Sequence, residues 1–190
     1  MLTYIKFPSF TPKAGIKKWP LIGDICIYVF NSLFINRSAT PEERAQIMED
    51  IKQRQILSET GKVQPILIFP EGCTTNHTSI VTFRRGAFFA ERSIQPFTLE
   101  YSSPYFNVAH DILNFLAHII LITSQPYVTC RVKMLPVFQP NEWFFSNHKK
   151  DGEERWETYM RVMRDIVSEH SGKPLSNQRM EDKFLSLIHI

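Results

Sequence analysis

The order of apolar runs and periodic helical stretches in this chain predicts an α/β sandwich with a mixed, partly parallel sheet. Three observations carry the prediction. The run Ile66-Leu67-Ile68-Phe69 is halted by Pro70-Glu71-Gly72, the pattern of a buried strand that stops at a turn. Pro41-Glu42-Glu43 opens a charged stretch reaching about Leu57, with Thr40 as its cap and Glu43 three residues on, which fits a capping box. From Asp151 to Ser171 the pattern is that of an amphipathic helix ended near Gly172.

The remaining elements fall between these. From residue 13 to 30 a short extended piece leads into an apolar helix, and Leu33 to Asn36 reads as a strand. After the capped helix comes the Pro65 to Phe69 strand, then short helical structure from Ile80 to Ala90 and a strand from Ser93 to Tyr101. Asp111 to Thr123 reads as a mostly apolar helix, with His110 and Asn114 as polar residues near its start, and Thr129 to Phe138 as a strand. A chain of 190 residues is long enough for one sizeable core, so residues 1–184 are assigned to one domain.

Composition narrows the function classes. Hydrophobic residues at 43% and aromatics at 13% exclude a disordered chain. A net charge of +3 gives no nucleic-acid footprint. No G-x-G-x-x-G or Walker loop is present, which argues against a nucleotide-phosphate cradle. Cys26, Cys73 and Cys130 make neither a disulfide framework nor a zinc pattern and suit a reducing, cytosol-facing setting. No metal site and no cofactor are expected.

The chemistry concentrates after the apolar run. The turn delivers the carboxylate of Glu71 and then the hydroxyls of Thr74 and Thr75, and the guanidinium groups of Arg84 and Arg85 follow. A carboxylate accepts hydrogen bonds from sugar or glycerol hydroxyls, and arginines hold phosphate. This is the inventory of a phosphorylated-polyol site. It is equally that of a strand-ending turn with solvated charges.

Phe69-Pro70-Glu71-Gly72-Cys73-Thr74-Thr75-Asn76 resembles the F-P-E-G block of the glycerolipid acyltransferase family, nearest its lysophosphatidylcholine acyltransferase branch. Phe83-Arg84-Arg85-Gly86-Ala87-Phe88 and Ile94-Gln95-Pro96 follow in the family's order; Cys73 departs from its usual Thr. Upstream, Asn31-Ser32-Leu33-Phe34-Ile35-Asn36-Arg37 resembles the family's arginine block, with Asn31 in place of Gly. Downstream, Met134-Leu135-Pro136-Val137-Phe138 resembles its last block, and the stretch from Ser9 to Gly23 its segment ahead of the arginine. The resemblance spans roughly residues 9 to 180 and implies a glycerolipid-acyltransferase-like fold. It implies acyl transfer from acyl-CoA, a co-substrate, to a lysophospholipid hydroxyl. Lysophosphatidic acid or glycerol 3-phosphate is the alternative acceptor. A catalytically inactive, membrane-associated lipid-binding module is the alternative of another class. By the same resemblance Arg37 holds the acceptor phosphate and Lys13 assists. Glu71, Gly72, Thr74 and Thr75 shape the acceptor site, and Pro136 and Val137 line the acyl side. The setting implied is phospholipid biosynthesis at the endoplasmic reticulum membrane, with the site facing the cytosol.

The family's chemistry needs an H-x-x-x-x-D block, in which the histidine takes the proton from the acceptor hydroxyl and the aspartate orients it. His77, His110, His118, His148 and His170 are not followed five positions later by Asp, and His189 lies too near the end. His148 has Glu153 at that spacing, but in a polar stretch read as a solvated loop. The chain is therefore expected to be a fragment of a longer enzyme, N-terminally truncated, and inactive as it stands.

Neither apolar stretch reaches the roughly 20 residues of a membrane span. Leu21 to Ile35 is interrupted by Asp24 and Asn31, and Ile112 to Ile122 by Asn114 and His118; both read as core helices. Lys13, Lys17 and Lys18 beside Trp19, Leu21 and Ile22 suit a lipid headgroup boundary, or else a surface lysine cluster where the chain enters the core.

Residues 185–190, Leu-Ser-Leu-Ile-His-Ile, resemble the conceptual translation of a transposon-end adaptor used in sequencing libraries; a native final strand or helix turn is the alternative. Ending the chain at Phe184 is expected to leave thermal melting unchanged. A native tail would bury Leu185, Leu187 and Ile188, each worth roughly 1.5–3 kcal/mol, and its removal would lower Tm clearly.

Overall fold

Thr40 and Glu43 form the capping box that the sequence predicts. The Thr40 hydroxyl accepts the Glu43 N–H at 3.3 Å, and the Glu43 carboxylate accepts the Thr40 N–H at 2.9 Å. Pro41 then opens helix α1 (Pro41–Glu59), where its missing N–H costs nothing. The computed structural model describes residues 8–36, 39–72, 75, 78–105 and 115–178. Within it the chain divides into two units: Met1–Pro70 with Arg85–Arg92, and Glu71–Arg84 with Ser93–Ile190.

In the first unit, α1 buries only Ile51 and Gln55. Gln55 donates to the Ala87 carbonyl at 3.1 Å, which holds the short 3-10 turn Arg85–Ala87 and the buried Phe88 against the helix. The apolar run around Leu67 lies parallel to Ser9. Ser9 N–H donates to Pro65 O and Leu67 N–H to Ser9 O, both at 2.8 Å. Lys13 and Ile35 make a second parallel bridge. The strands expected at Leu33 to Asn36 and Pro65 to Phe69 are thus single bridges. Their partner segments carry Pro8 and Pro12, and Pro65 stands in the run itself. Proline lacks the donor a longer ladder needs.

The stretch read as a core helix from Leu21 is a correction. A 3-10 turn, Ala14–Lys18, is followed by one α turn, Ile22–Asp24, and a wider π turn, Ile25–Val29. Leu21, Ile22, Ile25, Tyr28 and Val29 are exposed; Gly23 is the residue turned inward. A Cβ at Gly23 would lie 2.5 Å from the Lys17 carbonyl oxygen, so this close approach admits only glycine.

The second unit contains strands β1 (Phe97–Ser102) and β2 (Thr129–Met134) in an antiparallel pair, with Phe97 opposite Met134 and Ser102 opposite Thr129. An antiparallel bridge between Ile94 and Phe138 lies beyond Pro96 and Pro136, which interrupt the longer strands expected. With a further parallel bridge from Ile80 to Leu175, the α/β fold has mixed pairing and an open sheet. Helix α2 (Phe115–Thr123) is the second correction to a predicted core helix. Leu116, Ile119 and Ile120 are exposed while His118 is buried; the expected start at 111–114 lies outside the described residues. Among the described residues no helix is long and apolar enough to cross a membrane.

Helix α3 (Glu142–His148) occupies the stretch read as a loop, started by Asn141, whose side chain accepts the Phe144 N–H at 2.8 Å. Helix α4 (Arg155–Ser171) is capped by Glu154 and Glu157 and closed by Gly172 at φ 69°. Phe144, Phe145, Tyr159 and Met163 form this unit's core together with Ile80, Val81 and Phe83. Phe138 joins it, its ring 5.1 Å from Phe144 and 5.8 Å from Tyr159.

Replacing Thr40 by Ala should destabilise the protein by roughly 1 kcal/mol, seen as a lower Tm. Thr40→Ser, which keeps the acceptor oxygen, should lose little.

Candidate acceptor-binding site

The F-P-E-G turn hangs on an extended segment that its own residues do not hold. Gly72 sits at φ 72°, a left-handed conformation that explains glycine at this position. The segment that follows is gripped by α4. Arg164 donates from Nε to the Val81 carbonyl and from Nη2 to the Ile80 carbonyl, each at 2.9 Å, and Nη2 also donates to the Ser176 carbonyl. Backbone bonds complete the frame: Ile80 N–H to Pro174 O at 3.0 Å and Ser176 N–H to Ile80 O at 2.9 Å.

This frame surrounds Glu71. Burial pushes its carboxyl above the ordinary carboxylate value, opposed by the Val81 backbone N–H and by the charges of Lys173 and Arg164. Oε2 is buried with no hydrogen-bond partner among the described residues. A buried carboxylate oxygen without a donor is costly unless the carboxyl is protonated or a donor reaches it. Desolvation also lowers the Arg164 guanidinium from its usual value, opposed by Asp165 and Glu71.

The other predicted residues are distributed as follows. Thr75 is half-buried, whereas Cys73, Thr74, Asn76 and His77 lie outside the described residues. Arg84 is exposed, and the Arg85 guanidinium lies 4.2 Å from the Phe89 ring centroid, a cation–π contact. Lys13 is exposed in the first unit, bridged to Ile35 two residues before Arg37, which lies outside the described residues. The same block explains Asn31. It adopts φ 46°, a left-handed conformation open to Gly and tolerated by Asn. Its carbonyl accepts from the Ser9 hydroxyl at 2.7 Å and from Arg54. Pro136 and Val137 are exposed where the chain leaves β2. His148 ends α3 against the Phe144 ring, and Glu153 is engaged by Arg161 at 2.8 Å, which holds its carboxyl down at about 2. Glu153 thus serves Arg161.

Arg164 and Lys173 are the residues that motif reading misses. One signal was available: Arg164 interrupts the apolar stripe Met160, Met163, Val167 on α4. A charge on such a stripe must find partners.

The sequence profile described as Acyltransferase matches residues 4–100, a span that includes Lys13, Arg37, Glu71, Gly72, Thr74 and Thr75. The chain belongs to the acyltransferase family. Lysophospholipid acyltransferase LPEAT1 of Arabidopsis thaliana is 31% identical over 93% of this acyltransferase chain and 42% of its own length. Lysophosphatidylcholine acyltransferase of Drosophila melanogaster is 29% identical over 92% of the chain and 31% of its own length. Human lysophosphatidylcholine acyltransferase 1 is 28% identical over 94% and 32%. The acyltransferase chain therefore spans between 31% and 42% of the length of these relatives. No solved structure gives a significant match.

The raised Glu71 carboxyl predicts a pH signature. A carboxyl protonated more readily in the fold than in the unfolded chain contributes stability that is present below the unfolded value, about 4.3, and lost as pH rises through the folded value. Melting of wild type should therefore fall relative to Glu71→Gln as pH climbs from about 4 to neutral, and the two should converge in acid.

Proposed function

We propose that this chain is the acceptor-binding part of an acyl-CoA-dependent lysophospholipid acyltransferase. One observation carries the reading: relatives that match over more than nine tenths of the chain are named for acyl transfer to lysophospholipids. In the reaction the acceptor hydroxyl oxygen attacks the thioester carbonyl carbon. A C–O bond forms, the C–S bond breaks, and CoA leaves as the thiol with the proton the hydroxyl gave up.

The residues divide the binding work. The planar fork of Arg37 holds the acceptor phosphate bidentately, with Lys13 as a second cation. Glu71 fixes the acceptor near its glycerol end, its carboxylate accepting a hydrogen bond from a hydroxyl. Gly72, Thr74 and Thr75 shape the turn around it. Pro136 and Val137 line the acyl side. Lysophosphatidylcholine is the acceptor that the names of two of these relatives favour over lysophosphatidic acid or glycerol 3-phosphate. The endoplasmic reticulum membrane, approached from the cytosol, is the proposed setting.

Proton removal requires a base, and no H-x-x-x-x-D occurs in these 190 residues. The same fact favours a second reading, a lipid-binding module of this fold without turnover. Incubation with acyl-CoA and lysophosphatidylcholine, following free CoA, separates the two. The chain alone should release none, because general base catalysis supplies on the order of 10²–10⁴-fold. A parent bearing the His-Asp block should turn over. In that parent, Arg37→Ala should raise KM for the lysophospholipid more than Arg37→Lys, and Glu71→Gln should lower acyl transfer with the fold intact. Wild-type kinetics in these variants would reduce both blocks to structural roles, and a parent without turnover would leave the lipid-binding reading.

A further inference from the structure

The segment from Lys13 to Val29 turns its apolar groups outward at the cost of backbone strain. Ile22 N–H donates to Pro20 O at 2.7 Å, closing a three-residue turn centred on Leu21 at φ 64°, ψ −52°. That is the rare, strained form of the γ-turn, here adopted by a leucine. Its side chain is 71% exposed, and Tyr28 on the following helical turns is 81% exposed. Trp19, Ile22, Ile25 and Val29 are exposed with them. Gly23, packed at the Lys17 carbonyl, locks the two helical turns together beneath this face. Of the two readings the sequence leaves open, this exposure favours the headgroup boundary over a core entry.

Charge says what the face meets. Lys13, Lys17 and Lys18 are all exposed, and Asp24 is the only acidic residue between positions 8 and 30. We propose that this face docks on an anionic lipid bilayer. Leucine and isoleucine enter the acyl boundary, tryptophan and tyrosine rings suit the headgroup depth, and the lysine stems reach up to lipid phosphates and carboxylates. A second copy of the chain fits less well, because a twofold contact would set this basic face against itself. The exposed side of α2 is a different kind of surface: residues 112–130 contain no charged side chain, so any lipid contact there would ignore headgroup charge. The proposal deepens the membrane partner in the proposed function and rests on that reading for its setting, but its test needs no turnover.

Co-sedimentation of the chain with phosphatidylcholine vesicles, with and without phosphatidylserine, at low and high salt, tests it. Binding should require phosphatidylserine and fall with salt. Lys17→Gln and Lys18→Gln should each weaken it about fivefold, the fold-change of about 1 kcal/mol per lysine near an anionic surface. Leu21→Asn removes an exposed apolar side chain that packs on nothing in the fold, so melting should hold while binding drops about tenfold. Leu116→Ser on α2 should leave binding unchanged. The proposal fails if wild type does not bind, or if binding ignores phosphatidylserine. It also fails if the lysine and Leu21 variants bind like wild type while Leu116→Ser does not, or if Leu21→Asn alters self-association in place of vesicle binding. The CoA-release assay is independent of each of these results, so failure of either reading is recognisable by itself.

Discussion

Arg164 holds three carbonyl groups from two separate stretches of chain, and this grip fixes the segment that follows the F-P-E-G turn beside α4. The Ile80 carbonyl has a second donor in Ser176 N–H, whereas the Val81 carbonyl has Arg164. A hydrogen bond to a charged donor contributes about 1.5–3 kcal/mol net, more than a neutral backbone pair would supply. The guanidinium does a second job. Its charge, with that of Lys173, opposes the desolvation that raises the Glu71 carboxyl. One side chain thereby fixes the segment's path and tempers the burial of the acid. An aliphatic substitute on α4 would match the neighbouring methionines in polarity but supply neither effect.

Local rules were legible in the sequence because their partners are near in the chain. The capping box at Thr40 and Glu43 spans three residues, and the α4 stop at Gly172 needs only a left-handed residue. Asn31 in a glycine position fits too, once its φ of 46° is known. The partners of Arg164 were not legible, since two of its three carbonyls lie more than eighty residues back and carbonyls have no sequence signature. The α4 start was misplaced by four residues because Glu154 and Glu157 cap it without the usual Ser, Thr, Asp or Asn.

Periodicity misled where it was asked which way a helix faces. The stretch from Leu21 to Val29 and helix α2 both read as core, and both expose much of their apolar surface. Apolar residues that run nearly all round a short helix carry no mark of the buried side. In each case the inward residue is the one a hydrophobicity pattern discounts: Gly23 in the first and His118 in the second. Of the candidate site, the carboxylate and its glycine were legible from the motif. The half-burial of Glu71 was not, because it comes from the return of residues 174 to 176 alongside Ile80.

The division of the chain into units has a consequence for synthesis. All residues of the first unit have been made once Arg92 is added, so on the ribosome it can fold early. Residues 71 to 84 have left the exit tunnel long before α4 exists, yet they belong with α4. A nascent chain therefore carries Ile80 and Val81 for more than eighty residues of elongation without the guanidinium that holds their carbonyls. That segment is among the last parts of the molecule to be set, and a ribosome paused before codon 164 would display it in an unformed state.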